Sequence, residues 1–329
     1  MPSEQIYCFH RNNNNNNNNN VCRIAGGSAA NVAKCLAALT GCLDDCQDDV
    51  YFVGKIGSDE QGASYRNMME EHKVKVDFLQ EHPTESTGVC LCFVTPGGQR
   101  TMRTCLRAAS HCDEMPSAVL DSISMSHFEG YSIVRAEYTC QLMRQLKHAG
   151  PKISFDFASV EVVKTCFDTF VSVLESGLID VMFCNEDELL EFAREHQNAS
   201  CIYKEIISDG MDDDVETFVP YFTRYMAKTY DVVMVVSRGS RGCIACSNEE
   251  GMCSAEPDKV QVADTIGAGD HFSAAFLHLW IRRRPLQECC RAGCMAGAQV
   301  VQNVGGTLDR SSSMKLRRTI STSLQHNAL

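Results

Sequence analysis

Asp264-Thr265-Ile266-Gly267-Ala268-Gly269-Asp270 sets an aspartate behind a glycine-alanine-glycine bend, and an apolar run to Ile281 follows at once. A helix beginning near Gly269 would present unpaired N–H groups and a partial positive charge at its first turn, a ready site for an anion such as a phosphate. The glycines let that backbone approach the anion closely, because no Cβ stands in the way. An aspartate on the same turn faces the anion and can accept a proton from an incoming hydroxyl. Aspartate is also a favoured helix N-cap, so the motif alone leaves both roles open for Asp270.

Three other stretches carry residues of matching chemistry. In "AGGSAANVAKCLAAL" a glycine pair precedes a helix pattern, so Asn31 and the backbone of Gly26 and Gly27 could bind a polyol; equally, the glycines could simply begin a helix with Asn31 in solvent. In "FCNEDELLEF" Asn185 ends an apolar run and Glu188 enters the next helix, where a carboxylate can organise the water shell of Mg²⁺ or merely favour the helix dipole. In "VVMVVSRGSRGCIA" a strand pattern leads through Ser237 and Gly239 to Gly242, which suits backbone laid along nucleotide phosphates or a plain hairpin turn. The chain has neither a G-x-x-x-x-G-K-[ST] loop nor a G-x-G-x-x-G after a strand, so neither a P-loop nor a dinucleotide fold has support.

These residues need a scaffold, and the chain alternates helix and strand patterns. "SAANVAKCLAAL" and "EQGASYRNMMEEHK" read as helices, "DVYFVGKIG" as a strand. "MSHFEGY", "KISFDFA", "DVMFCNEDE" and "DVVMVVS" are short apolar runs separated by material able to form helices, the pattern of buried parallel strands with crossovers. "STGVCLCFVTPGGQRTMRT" differs, since two β-favouring runs flank Pro96-Gly97-Gly98 and predict a hairpin. The fold class expected is α/β, with a mostly parallel sheet flanked by helices and a small β lid.

The chain has 329 residues, 44% of them hydrophobic, and a net charge of -12. That charge opposes nucleic-acid or acidic-membrane partners, and no apolar run is long enough for a membrane span. Nineteen cysteines would suggest a disulfide framework or a metal-thiolate protein. No secretory pattern accompanies them, and Cys243-Ile-Ala-Cys246 lacks a second ligand pair, so core thiols and a cytoplasmic location are expected. The asparagine run from Asn12 to Asn20 predicts a disordered tail over residues 1–20, and the Ser-rich basic stretch from residue 310 predicts a flexible end over 310–329.

Taken in order, GGSAAN, the hairpin with GGQRTMRT, NEDE, SRGSRG and DTIGAGD resemble the pfkB, or ribokinase-like, family of carbohydrate and nucleoside kinases, in particular its branch related to adenosine kinases. The resemblance covers about Gly26 to Gly306 and implies a ribokinase-like αβα domain over 21–309, with a lid at about 84–110. It implies an ATP-dependent phosphotransferase acting on a hydroxymethyl group of a sugar or nucleoside, as a monomer or homodimer. Asp270 would be the base, with the amides of Gly267, Ala268 and Gly269 forming the anion hole. Gly26, Gly27, Asn31 and the lid's Arg103 would meet the acceptor. Asn185, Glu188, Ser237, Gly239 and Gly242 would serve ATP, as would Asn303, within a segment walling the adenine. Glu188 would reach Mg²⁺ through water; Asp264 and the Ile266 backbone would fall in the loop that binds a monovalent cation such as K⁺ in several members.

The sequence departs from the family pattern in two places. Members usually open with a strand bearing a substrate-binding aspartate ahead of the glycine pair, and no Asp precedes Gly26 here; the strand itself is expected to be missing. The alternative reading is therefore a catalytically impaired protein that binds nucleotide or sugar. The second departure is Ile266, where the family pattern has threonine.

Overall fold

The computed structural model describes residues 6–10, 20–40, 48–94, 100–111, 123–196 and 212–326. The chain divides into two compact units, one formed by Met1–Met115, Asp258–His278 and Met295–Leu329, the other by Pro116–Pro257 and Leu279–Cys294.

The first unit opens with β1 (Ile6–His10), β2 (Asn20–Ile24) and α1 (Ser28–Leu39), followed by β3 (Gly54–Gly57), α2 (Glu60–Glu71) and β4 (Leu79–His82). Then come β5 (Val89–Val94) and β6 (Arg100–Cys105), which pair antiparallel as the hairpin pattern predicts; residues 95–99, with Pro96-Gly97-Gly98, lie outside the described residues. A four-stranded sheet runs in the order β2-β1-β5-β6, while β3 and β4 form a parallel pair.

Strand β1 corrects the expectation of a missing strand, and that of a disordered tail at Ile6–His10; residues 1–5 and 11–19 lie outside the described residues. Ile6–His10 pairs antiparallel with β2 and parallel with β5, so its backbone is satisfied on both sides. The β-favouring IYCFH is outweighed in composition by the asparagine run beside it, and only pairing with residues about 80 positions away reveals it.

Asp59 ties α2 to the base of β5. Its carboxylate caps α2 by accepting from the Gly62 N–H (2.8 Å) and also accepts from the Thr87 N–H (2.8 Å) and hydroxyl (2.5 Å). Burial works against its charged form, but these bonds and the Arg107 charge hold the carboxyl below its ordinary range.

The second unit runs β7 (Met125–Glu129), α3 (Ala136–Ala149), β8 (Lys152–Asp156), α4 (Val160–Thr165), α5 (Phe167–Glu175), β9 (Val181–Asn185) and α6 (Glu186–Glu195). It continues through α7 (Asp212–Tyr230), β10 (Val233–Ser237), β11 (Cys243–Ser247) and β12 (Gly251–Ala255). The sheet order is β12-β11-β10-β9-β8-β7; β7 to β10 are parallel, and β11 and β12 add an antiparallel edge. Val181, Met182 and Phe183 are all buried, as are Met234, Val235 and Val236, because both faces of these strands are covered. Cys243 and Cys246 are buried on β11, and Cys243 meets the Cys294 thiol at 3.7 Å. The α/β architecture with a mostly parallel sheet is the one expected.

Three helices complete the chain: α8 (Ala268–Trp280), α9 (Leu286–Val300) and α10 (Arg310–His326). Helix α10 replaces the flexible end expected from residue 310. Its low overall hydropathy hides an apolar stripe, of which Leu316 and Ile320 are 2% and 1% exposed, and it packs on α1. Arg317 donates to the carbonyl of Thr40, which caps the end of α1 (2.8 Å), placing a cation where the helix dipole is negative. No helix among the described residues is long and apolar enough to cross a membrane.

Since α10 covers α1, Leu316→Ala should lower the unfolding free energy by about 2–4 kcal/mol. Denaturant titration of the full chain and the variant checks this; a frayed end would leave the midpoint unchanged.

Candidate active site

Helix α8 begins directly after Gly267, whose φ of +74° is a left-handed conformation natural to glycine. A Cβ on Gly267 would stand 2.8 Å from the Gly306 carbonyl oxygen, and one on Gly306 would stand 2.5 Å from Ile266 Cγ2, so two glycine bends are pressed together. Asp264 brackets them from within the core: one carboxylate oxygen accepts from the Ile266 N–H and the other from the Gly305 N–H, each at 3.0 Å. The Ile266 side chain is buried against Cys90 and Cys92, so this position contributes packing as well as backbone. At Gly269 the opposite holds, since an added Cβ would meet nothing within 4 Å. The first turn of α8 thus has open space beside it, with N–H groups that lack intrahelical partners.

The carboxylate of Asp270 stands half-buried in that turn and is gripped from α1. Ser28 Oγ donates to Oδ1 at 2.8 Å and Asn31 Nδ2 donates to Oδ2 at 2.7 Å. The start of α1 is capped only by Gly27, at φ +100° with no side-chain hydrogen bond. The positive ends of two helices therefore meet at one acid, a setting that favours the carboxylate and fixes its orientation. Each oxygen accepts a side-chain bond from α1.

Asn31 is 3% exposed and its amide nitrogen donates to Asp270, which places it beside the acid. Ser28 was not singled out from the sequence, although its three-residue spacing from Asn31 puts both on one helix face. Gly26 and Gly27 are buried with their carbonyls engaged, Gly26 by the Tyr65 hydroxyl (3.2 Å) and Gly27 by the Asn31 N–H (2.9 Å). Arg103 is exposed on β6 opposite Leu91, on the face away from Cys90 and Cys92 and thus away from Ile266. Asn303 follows α9 and donates to the Gln299 carbonyl at 3.3 Å.

In the second unit the residues of interest end parallel strands. Asn185 and Ser237 close β9 and β10 as direct partners, and Glu129 and Asp156 close β7 and β8 in the same way. Ligands of open α/β sheets bind beyond such carboxyl ends. Asn185 and Glu188 form a reciprocal capping box: Glu188 N donates to Asn185 Oδ1 (2.9 Å), while Glu188 accepts from the Asn185 N–H (2.9 Å) and Nδ2 (2.8 Å). Glu188 is 4% exposed, and burial pushes its pKa up to about 7 against the pull of the Asn185 bonds, with the charges of Glu129 and Asp187 adding to the rise. Glu129, also buried, lies 3.1 Å from His127 Nε2, whose Nδ1 is 2.9 Å from Ser154 Oγ. An acid closing the strand pattern MSHFE was the sequence signal for it.

The turn after β10 is bridged by ion pairs. Arg238 pairs with Glu186 (2.9 Å) and Glu216 (2.6 Å), and Arg241 pairs with the same two carboxylates. Gly242, at φ +83°, has no room for a Cβ, which would strike the Ala255 carbonyl, so it is a packing glycine of the β10–β11 hairpin. Gly239, at φ +57°, has nothing within 4 Å of that position and leaves its backbone approachable.

These donors fit Mg²⁺ held through water. Two buried carboxylates, Glu129 and Glu188, oppose each other's charge, a conflict that a nearby cation relieves. No group of three or more His, Cys, Asp or Glu side chains among the described residues is arranged to ligate an ion directly. Both oxygens of Asp264 accept backbone N–H groups, so a monovalent cation there would share them with the bends they hold.

A model of the pfkB family of carbohydrate kinases matches residues 3–312, starting ahead of the asparagine run. Adenosine kinase 1 of Arabidopsis thaliana is 27% identical over 304 residues, which cover 86% of this chain and 80% of the relative. Among solved structures, adenosine kinase from Sinorhizobium meliloti superposes with a TM-score of 0.74 at 23% identity, covering 91% of this chain and 84% of that one. Arabidopsis thaliana ribokinase complexed with ribose and ATP gives 0.68 at 21% identity, covering 96% of each chain. The chain belongs to the pfkB family of carbohydrate kinases, with adenosine kinases among its relatives in sequence and in fold.

Proposed function

We propose that this chain transfers the γ-phosphoryl group of ATP to a hydroxymethyl oxygen of a sugar or nucleoside, with Asp270 as the base. The observation that carries this reading is the Asp270 carboxylate, held by Ser28 and Asn31 in the open first turn of α8. The acceptor hydroxyl gives its proton to a carboxylate oxygen of Asp270 as its own oxygen bonds to phosphorus. The bond from that phosphorus to the bridging oxygen breaks, and ADP leaves with the electron pair. The amides of Gly267, Ala268 and Gly269 stabilise the charge on the phosphoryl oxygens without having to reorganise. Gly26 and Gly27 shape the acceptor side, and Arg103 would have to reach it by movement of the β5–β6 hairpin.

Asn185 and Glu188 would hold the water shell of Mg²⁺, which when bound neutralises charge on the nucleotide phosphates. Ser237, Gly239 and Asn303 would lie along ATP, with Gly242 fixing the hairpin that carries the first two. A catalytically impaired binding protein is the second reading, favoured by the lack of any Asp before Gly26.

Both readings are separated by following ADP release from Mg-ATP with a panel of nucleosides and sugars, for the full chain and for Asp270→Asn. The expected result is turnover with at least one acceptor, reduced by about 10²–10⁴-fold in the variant while ATP binding persists. ATP binding without turnover on any acceptor would favour the impaired protein, and a fully active Asp270→Asn would remove Asp270 from the base's role.

Glu188 gives a second expectation, free of any assay. Its folded pKa is raised to about 7 from an ordinary 4.5, so the folded chain binds more protons than the unfolded chain between those values. Its contribution is full below about pH 4.5 and is lost as pH rises through about 7. Thermal unfolding of the full chain should therefore lose more stability from pH 5 to 8 than that of Glu188→Gln, and Mg-ATP should restore the difference at pH 8. Parallel pH profiles for the two proteins would count against it.

A further inference from the structure

Helix α1 is built mostly of Ala, Val, Leu and Cys, yet Ser28, Asn31 and Lys34 recur along it at a spacing of three. Ser28 and Asn31 hold Asp270. Lys34 is the third member of this polar stripe, and it has no part in the chemistry above. At 3% exposure, it is the one lysine or arginine that is buried among the described residues. Its ammonium donates to the Ala25 carbonyl at 2.5 Å.

That bond completes a set. The carbonyls of Ala25, Gly26 and Gly27 are taken in succession by Lys34 Nζ, the Tyr65 hydroxyl and the Asn31 N–H, so the whole bend leading into α1 is pinned. The charges around Lys34 are equally specific. Burial lowers the Lys34 pKa to about 7, opposed by the charge of Asp270, which faces it from α8 together with His271. His72, just past α2, faces it too. Burial brings His271 down to about 4, with its Nδ1–H given to the Gly267 carbonyl at 2.8 Å, and burial with the Lys34 charge also lowers His72. Cys35, beside it on α1, is pushed up by burial and by Asp270. Tyr65 is pushed up by burial alone. Both stay neutral, as does His271, so the positive charge that Asp270 favours here falls to Lys34, which takes it up as pH falls through about 7.

A buried ammonium is costly, and a side chain that only filled this space would serve better as an apolar chain of the same length. We propose that Lys34 is a positioning residue for the phosphotransfer assigned above: its ammonium pins the Ala25–Gly27 bend and supplies the buried positive charge that sets the Asp270 carboxylate between Ser28 and Asn31. The proposal rests on the phosphotransfer reading and adds the group on which the geometry of its base depends.

Lys34→Met, Lys34→Gln and Lys34→Arg, measured beside the full chain, test it. With Mg-ATP and the acceptor panel, the Met variant should keep the KM for ATP within about twofold and lose kcat by about 10–100-fold, the range seen when an outer-shell partner is removed. Its melting temperature should fall by at most a few degrees, because loss of the desolvated ammonium is set against the Ala25 carbonyl left without that donor. Lys34→Arg, which keeps the charge in a poorer fit, should retain more turnover than Lys34→Met. Should the Met variant fail to fold, the Gln variant is held to the same expectations. A folded Met or Gln variant with kcat within about threefold of the full chain would overturn the proposal, as would an Arg variant no better than Met. If the full chain itself turns over no acceptor, the phosphotransfer reading fails and the role of Lys34 with it; turnover by the full chain with indifferent variants rejects Lys34 alone.

Discussion

Two helices point their positive ends at the same carboxylate, and much of the first unit exists to keep them there. Asp270 lies in the first turn of α8, while Ser28 and Asn31, about 240 positions earlier in the chain, hold its two oxygens from the first turn of α1. An aspartate in solvent samples many orientations. One fixed by two charge-assisted bonds keeps a single orientation, which the proposed proton abstraction would use.

Keeping two helix ends so close demands unusual backbone around them. Gly267 and Gly306 adopt left-handed conformations and pack where a Cβ would collide, and Asp264 ties both bends together from inside the core. Lys34 and Tyr65 do the same for the bend before α1. The polar groups buried here are satisfied by backbone partners, which is how a core tolerates them. Burial also makes the arrangement sensitive, because a lost partner leaves a desolvated charge or carbonyl with no substitute from water.

In the second unit the tension is between like charges. Glu129 and Glu188 are both buried near the carboxyl ends of parallel strands, and Glu188 is held near its titration point by that neighbourhood. The capping box with Asn185 gives Glu188 a structural task even without a ligand, which is why its sequence context could be read as an ordinary helix start. The paired arginines behind it, Arg238 and Arg241, link α6 and α7 to the turn after β10 through Glu186 and Glu216.

Local chemistry was legible in the sequence because it is encoded locally. The DTIGAGD bend, the parallel strands, the β5–β6 hairpin and the starts of α1, α2 and α6 follow from glycine, alternation and capping residues within a few positions. The strand at Ile6–His10 and the helix at Arg310–His326 were not, since neighbouring asparagines and serines dilute them and only pairing with β5 and packing on α1 stabilise them. The same limit applies to the site. Sequence identified Asp270 as an acid behind a bend, with a helix cap as its alternative. Tertiary structure alone decided that Ser28 and Asn31 are its partners, because their hydrogen bonds join residues that spacing along the chain cannot relate.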